Sequence, residues 1–279
     1  MSRTVILHYH LFKNAGTSLD QVLKQNFGTR WVTREFEARA NAATHAQEVA
    51  QWIKANPDAV AFSSHTMELP PPEMPGVKIV PLIFVRHPID RVASAYSFER
   101  KQGGKGFGSV LARHTTLGGY CEVRLSMPRD RQCRNFQASR FSRMFAHEQG
   151  SELERSLKAV RTLPFVGVVE DFDVSMDKLA ALLQLDFPDF RGAQVAANVS
   201  RDVSRSLAQR VSELQAELGD EVYDQLIAAN TDDLLLHQAA TERGRRGMAA
   251  AAAEGGPEAV DEAPAALAPA SNESQAGRA

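Results

Sequence analysis

Apolar residues in this chain fall into two rhythms, short unbroken runs and stripes at helical spacing, and the two alternate along its length. Residues 5–7 are a run of strand length, and beyond a polar turn Leu19, Val22 and Leu23 recur at the spacing of one helix face. Residues 45–55 carry Val49, Trp52 and Ile53 on one helical face, stop at Asn56-Pro57-Asp58, and give way to a short strand over 59–62. A second strand, turn and helix span 81–98. There residues 82–85 are apolar, Pro88 suits a first helical position, and Ile89, Val92, Ala93 and Tyr96 form a stripe. Helical spacing resumes after Asn135 through Phe141 and Phe145. Residues 165–169 read as a buried strand, with Val174, Leu179, Leu182 and Leu183 continuing as helix. Two amphipathic helices follow, over 204–218 and 220–239. This order predicts an α/β fold with a central parallel sheet of four or five strands flanked by helices.

Two stretches depart from that pattern. Between Lys101 and Arg134 periodicity gives way to glycines, and seven basic residues face two acidic ones, a local balance of +5. Long loops of this kind cover active sites or are solvated insertions, and this one's charge favours an anionic acceptor if it meets one. From Gly244 onward the composition shifts to Ala, Gly, Pro, Glu and Ser with no aromatic residue. Such a segment buries too little surface to offset its ordering entropy. The expected division is one domain over 1–243 and a disordered tail over 244–279.

Composition narrows the function. The chain has 279 residues and a net charge of −2, which suits one sizeable domain and disfavours a general nucleic-acid binder. Phosphate binding is then local. No run reaches about 18 uninterrupted apolar residues, and no basic and apolar leader precedes the first strand, so no transmembrane segment and a soluble, cytoplasmic protein are expected. Cys121 and Cys133, the only cysteines, have no metal-site spacing and are expected as free thiols.

The candidate chemistry lies in the turns. Lys13-Asn14-Ala15-Gly16-Thr17-Ser18 joins the first strand to its helix. Small residues there admit close approach, the first N–H groups of the helix point outward, and Lys13 adds a full charge. Such a turn suits phosphate or sulfate. Its Lys precedes the glycine, unlike the GxxxxGK[ST] loop of nucleoside-triphosphate enzymes. It resembles instead the 5′-phosphosulfate loop, HxPKTGGTS, of sulfotransferases using 3′-phosphoadenosine 5′-phosphosulfate. His10 stands at the family's His, Phe12 replaces its Pro, and Asn14 replaces a Thr, with an amide able to donate to a phosphate oxygen. Arg86 and Ser94, eight residues apart, resemble the family's 3′-phosphate motif, with His87 where Asp is usual. Asn135-Phe136-Gln137 resembles the Asn-x-Gln segment of its carbohydrate-modifying members, and the 166–173 stretch its VGxxExFD segment. His65, just past the 59–62 strand, resembles the catalytic His of heparan sulfate 2-O-sulfotransferases and their relatives.

The resemblance implies a P-loop-like three-layer fold and transfer of a sulfuryl group from 3′-phosphoadenosine 5′-phosphosulfate, without a metal, to an acceptor hydroxyl. A carbohydrate is the implied acceptor class. Lys13 would meet charge on the departing bridging oxygen. Asn14, Ala15, Gly16, Thr17 and Ser18 would join it in holding the phosphosulfate, unless Thr17 or Ser18 is an ordinary helix cap. Arg86 and Ser94 would bind the 3′-phosphate, with Arg91 supporting the helix. His65 leads as general base with His10 in support, Glu68 is a third candidate, and His8 reads as structural. Two rivals stay open: a nucleoside-triphosphate-dependent phosphotransferase, with Asp171 the nearest magnesium ligand, and a non-catalytic nucleotide- or glycan-binding module.

Overall fold

The computed structural model describes residues 3–37, 42–192 and 205–254. Five strands, β1 (Arg3–Tyr9), β2 (Trp31–Thr33), β3 (Ala61–Ser64), β4 (Val77–Val85) and β5 (Gly167–Val168), form one sheet in the order β2-β3-β1-β4-β5. Every pairing is parallel, with Ile6 of β1 between Ala61 of β3 and Val80 of β4. β1 is thus central, and its unbroken Val5-Ile6-Leu7 run reflects burial on both faces. The short edge strand β2 was not foreseen. The 165–169 run contributes only two paired residues, and a Cβ at Gly167 would lie 2.4 Å from the Phe84 ring, so only glycine lets that ring cross β5.

Side-chain alternation sorts the core into two layers. Val5, Leu7 and Tyr9 face one side with Ile83 and Val85. There they meet α2 (Ala42–Ala55), α6 (Phe136–Phe141), α7 (Glu152–Thr162) and α11 (Thr231–Glu254). Ile6, Leu82 and Phe84 face the other side and meet α1 (Gly16–Phe27) and α8 (Phe172–Leu183). Beyond the sheet, α3 (Pro88–Lys101), α4 (Phe107–His114), α5 (Leu117–Leu125), α9 (Leu207–Leu218) and α10 (Asp220–Ala229) enclose a third cluster around Tyr96, Tyr120 and Leu226. The fold is therefore α/β with helices on both faces of a five-stranded parallel sheet. Among the described residues, no helix is long and apolar enough to cross a membrane.

Three departures have local causes. The glycine-rich 101–134 stretch contains α4 and α5. The buried stripe of α5 is Leu117, Tyr120, Cys121 and Arg124, and its last member is a charge neutralised by Glu99 and Asp130 at 3.0 and 2.7 Å. An apolar periodicity cannot register such a helix. The 220–239 helix is split at Asn230, whose amide donates to Leu226 O and Cys133 O, both at 2.8 Å, while its oxygen accepts Asn135 N. Finally, α11 continues past Gly244 to Glu254 through an alanine run of high helix propensity, so the composition break is not where helix ends. Residues 255–279 of the expected tail lie outside the described residues. Cys121 and Cys133 are buried free thiols within the third cluster.

Candidate active site

All five strands run the same way, so the turns that leave them share one rim. At the end of β1, Lys13 and Ala15 both adopt the left-handed conformation, at φ 65° and 59°. That costs free energy in a non-glycine residue and persists where surrounding contacts impose it. Ala15 is the N-cap of α1 and no side chain caps it, so Thr17 and Ser18 are first-turn residues and not the caps they were offered as. The opening N–H groups of α1 are thereby left for solvent or an anion.

Asn14 lies between the two strained residues and turns inward. Its Nδ2 donates to Phe84 O and to Gln137 Oε1, both at 2.7 Å, and only 2% of the residue is exposed. Both amide hydrogens are spent, which corrects the expectation that they reach a phosphate oxygen. Gln137 is fully buried. Besides accepting from Asn14, its Oε1 accepts Arg86 N at 2.8 Å and its Nε2 donates to Arg86 O at 2.8 Å. One side chain thus ties the Lys13 turn to the end of β4.

Arg86 leaves β4 beside that turn and donates from Nη1 to Lys13 O at 3.1 Å and from Nε to Asp90 Oδ2 at 2.9 Å. Arg210 of α9 reaches the same carboxylate at 3.1 Å. Burial opposes ionisation of Asp90, but Arg86 and Arg210 outweigh it and hold its carboxyl below the usual range. Lys13, Arg86, Ser94, Lys101, Arg205 and Arg210 line one cleft of about 520 Å³. The Lys13 ammonium lies 4.6 Å from the centroid of the Phe98 ring, and its pKa is pushed down by burial and then by the Arg86 charge. Arg91 points away from the cleft: it is fully buried, donates to Gln132 O, and stacks on Phe136 at 4.3 Å.

The histidines gather at the neighbouring strand ends. Asp20, one turn into α1, bonds His8 Nδ1 at 2.8 Å and His10 Nδ1 at 2.9 Å through separate oxygens. The His10 ring rests on the start of α1, where a Cβ at Gly16 would fall 2.0 Å from it. It also packs on His65, with ring centroids 3.9 Å apart. His65 is exposed and its Nδ1 lies 2.7 Å from Glu35 Oε1. Burial opposes the Asp20 charge, but the bonds from His10 and His8 keep its carboxyl well below the usual range. For His8 burial wins over Asp20 and lowers its pKa. His8, His10 and Asp20 each offer a metal-ligand atom within 4.8 Å of the others, and the Nδ1 atoms of both histidines bond the Asp20 carboxylate.

Glu68, the third candidate base, and His87, which stands where the family has Asp, are both committed elsewhere. Glu68 receives Arg140 at 2.9 Å and also Arg143, which leaves it poorly placed to take a proton. His87 is the N-cap of α3 and its N–H donates to Glu170 Oε1, the carboxylate that also pairs with His237 at 2.9 Å. The structure therefore gathers Lys13, Arg86 and Ser94 at one cleft, and His10 with His65 at the adjoining rim. Asp20, Glu35, Arg210 and the bridging role of Gln137 were missed by sequence reasoning. Only Gln137 carried a signal, its place in the Asn-x-Gln segment.

Comparison with known proteins covers the same ground. The profile of the sulfotransferase family matches residues 2–237, which include all five strands and every residue of the cleft. An uncharacterized protein of Archaeoglobus fulgidus is 39% identical over 254 residues, covering 89% of this chain and 100% of that one. On a match of that extent, the chain belongs to the sulfotransferase family.

Proposed function

We propose that this protein transfers a sulfuryl group from 3′-phosphoadenosine 5′-phosphosulfate to an acceptor hydroxyl, with a carbohydrate as the acceptor class. The observation that carries the reading is the cleft at which Lys13, Arg86 and Ser94 converge from three separate segments. A nucleotide anionic at both ends fits such a site. The uncapped start of α1 and Lys13 suit the phosphosulfate, and Arg86 with Ser94 suits the 3′-phosphate. Arg205 and Arg210 bring further charge from α9's side of the cleft.

When bound, the donor supplies an electrophilic sulfur whose bond to the bridging phosphate oxygen breaks as the acceptor oxygen bonds. The chain's own residues position the groups and manage charge and proton. Lys13 meets the negative charge that develops on the bridging oxygen. Ala15, Gly16, Thr17 and Ser18 present backbone and hydroxyl donors, while Asn14 acts from behind by fixing the turn. His65 accepts the acceptor hydroxyl proton at Nε2, since Nδ1 faces Glu35, and His10 supports its ring.

Calorimetric titration with adenosine 3′,5′-bisphosphate, without added metal, tests the donor site. Wild-type protein should bind, and Lys13→Ala and Arg86→Ala should each weaken binding roughly 10- to 100-fold, the worth of one charge-assisted hydrogen bond. Binding of ATP–Mg²⁺ instead would overturn the reading in favour of phosphoryl transfer. Bisphosphate binding with no turnover on any hydroxyl acceptor would favour a binding module.

A further inference from the structure

Glu35 lies just past β2, on a segment that carries none of the motifs read from the sequence. Its carboxylate nevertheless gathers nearly every donor of the turn that follows β3. It accepts the backbone N–H of His65 at 3.1 and 3.3 Å, the N–H of Thr66 at 3.0 Å, and the Thr66 hydroxyl at 2.9 Å. The Ser64 hydroxyl approaches at 3.4 Å. The shortest contact is to His65 Nδ1, at 2.7 Å. Partial burial opposes the Glu35 charge, but these bonds, led by the one from His65, hold its carboxyl below the ordinary range.

An ionised carboxylate can only accept hydrogen bonds. Facing one at 2.7 Å, Nδ1 of a neutral His65 must carry the proton, and Nε2 is left with the lone pair. The ring also packs against that of His10, whose own Nδ1 is spent on Asp20. Among the described residues, the groups facing His65 are Glu35 from beyond β2 and His10 from beyond β1, with Asp20 and His8 behind the latter. Among the described residues, only Glu35 hydrogen-bonds the His65 ring.

We propose that Glu35 is the positioning residue for His65, fixing it as the Nδ1–H tautomer with Nε2 as the single proton acceptor and stabilising the imidazolium once that proton arrives. The step is balanced within the reaction. The acceptor O–H bond breaks, its proton forms Nε2–H, and its electron pair goes to the new bond to sulfur. The proposal rests on the sulfuryl-transfer reading with His65 as base, and it deepens that reading by naming what makes this imidazole competent.

The test is a long-range ¹H–¹⁵N correlation spectrum of the histidine rings in the full chain near neutral pH, with His65 assigned by its loss in His65→Gln. Wild-type protein should show neutral His65 as the Nδ1–H tautomer. In Glu35→Gln the side-chain oxygen still accepts the backbone N–H groups while the amide donates to Nδ1, so His65 should change to Nε2–H. In the same variant kcat should fall by about 10² to 10⁴-fold, with affinity for adenosine 3′,5′-bisphosphate and KM for the donor unchanged. A merely structural Glu35 would move affinity and melting temperature and leave the tautomer alone. The proposal is overturned if wild-type His65 is the Nε2–H tautomer, or if Glu35→Gln changes neither tautomer nor kcat. Should Glu35→Gln fail to fold, the wild-type tautomer decides. Failure of wild-type protein to bind the bisphosphate would instead defeat the sulfotransferase reading, and the ring spectrum would still judge Glu35.

Discussion

Gly16 shows how one residue can serve two demands that point in opposite directions. It opens α1 at an ordinary helical position, where alanine would favour the helix by about 1 kcal/mol. Yet a Cβ there would stand 2.0 Å from His10 Cδ2, and the His10 ring cannot retreat freely because Asp20 holds its Nδ1 and His65 lies against it. Overpacking costs about 1–3 kcal/mol, so the clash outweighs the propensity gain. Gly16→Ala is therefore expected to lower stability and to weaken adenosine 3′,5′-bisphosphate binding, measured by chemical denaturation and calorimetry. A more stable variant with undiminished affinity would show that His10 does not need this surface. At the residue scale the sequence displayed candidate chemistry without its direction. That Lys13, Arg86 and Ser94 belong together was legible from type and spacing, and they do meet at one cleft. Asn14 was not, because nothing in a run of small polar residues tells which side chain a pair of left-handed residues turns inward. Asp20 and Glu35 were invisible for a different reason: their partners come from other strand ends, at separations no local pattern reports.

Elements tell a similar story through their joints. The strands and helices that carry the site were readable because β1, β4, α1 and α3 each have one clean apolar rhythm. What joins the β1 turn to the β4 end was not, since it is a buried glutamine on a third element, α6. Gln137 satisfies Asn14 Nδ2, Arg86 N and Arg86 O together. Gln137→Leu keeps much of the volume and abandons all three, and each buried group left unpaired costs about 1–3 kcal/mol. The denaturation midpoint should fall by the equivalent of at least about 2 kcal/mol. The bisphosphate affinity should fall as well, because the Lys13 and Arg86 motifs lose their common brace. Gln137→Glu retains an acceptor for Asn14 Nδ2 and Arg86 N but turns a buried carboxylate oxygen toward Arg86 O and Asp233 Oδ2, and it too should fall below wild type in both measurements. Equal affinity in all three proteins would reduce Gln137 to a core residue without bearing on the site. The α5 helix and the break at Asn230 escaped prediction for the same physical reason. Where a polar side chain is buried with its partners, hydrophobic periodicity fails although the packing is sound.

For the molecule as a whole, the buried charges at the strand-end rim couple the site to stability on the acid side. His8 has its pKa lowered from 6.5 because burial penalises its charged form more than Asp20 favours it. A histidine depressed in the native state binds fewer protons folded than unfolded, so its contribution is complete above about pH 6.5 and is lost as pH falls below that value. Asp20, Asp90 and Glu170 are also depressed, and their contributions are lost at lower pH, as the medium falls through the ordinary carboxylate range. Asp233, raised by burial, opposes them there. Between about pH 7 and 5 the slope is set by His8 together with His87, whose pKa burial also lowers, and both contribute with the same sign. Denaturation midpoints should decline across that interval in wild-type protein. In His8→Asn the amide can still donate to Asp20 and cannot be protonated, so the decline should be shallower even if the variant starts from a lower stability. Parallel slopes for the two proteins would mean that His8 has the same pKa folded as unfolded, and a steeper decline in His8→Asn would mean that Asp20 outweighs burial and makes the bridge an ion pair.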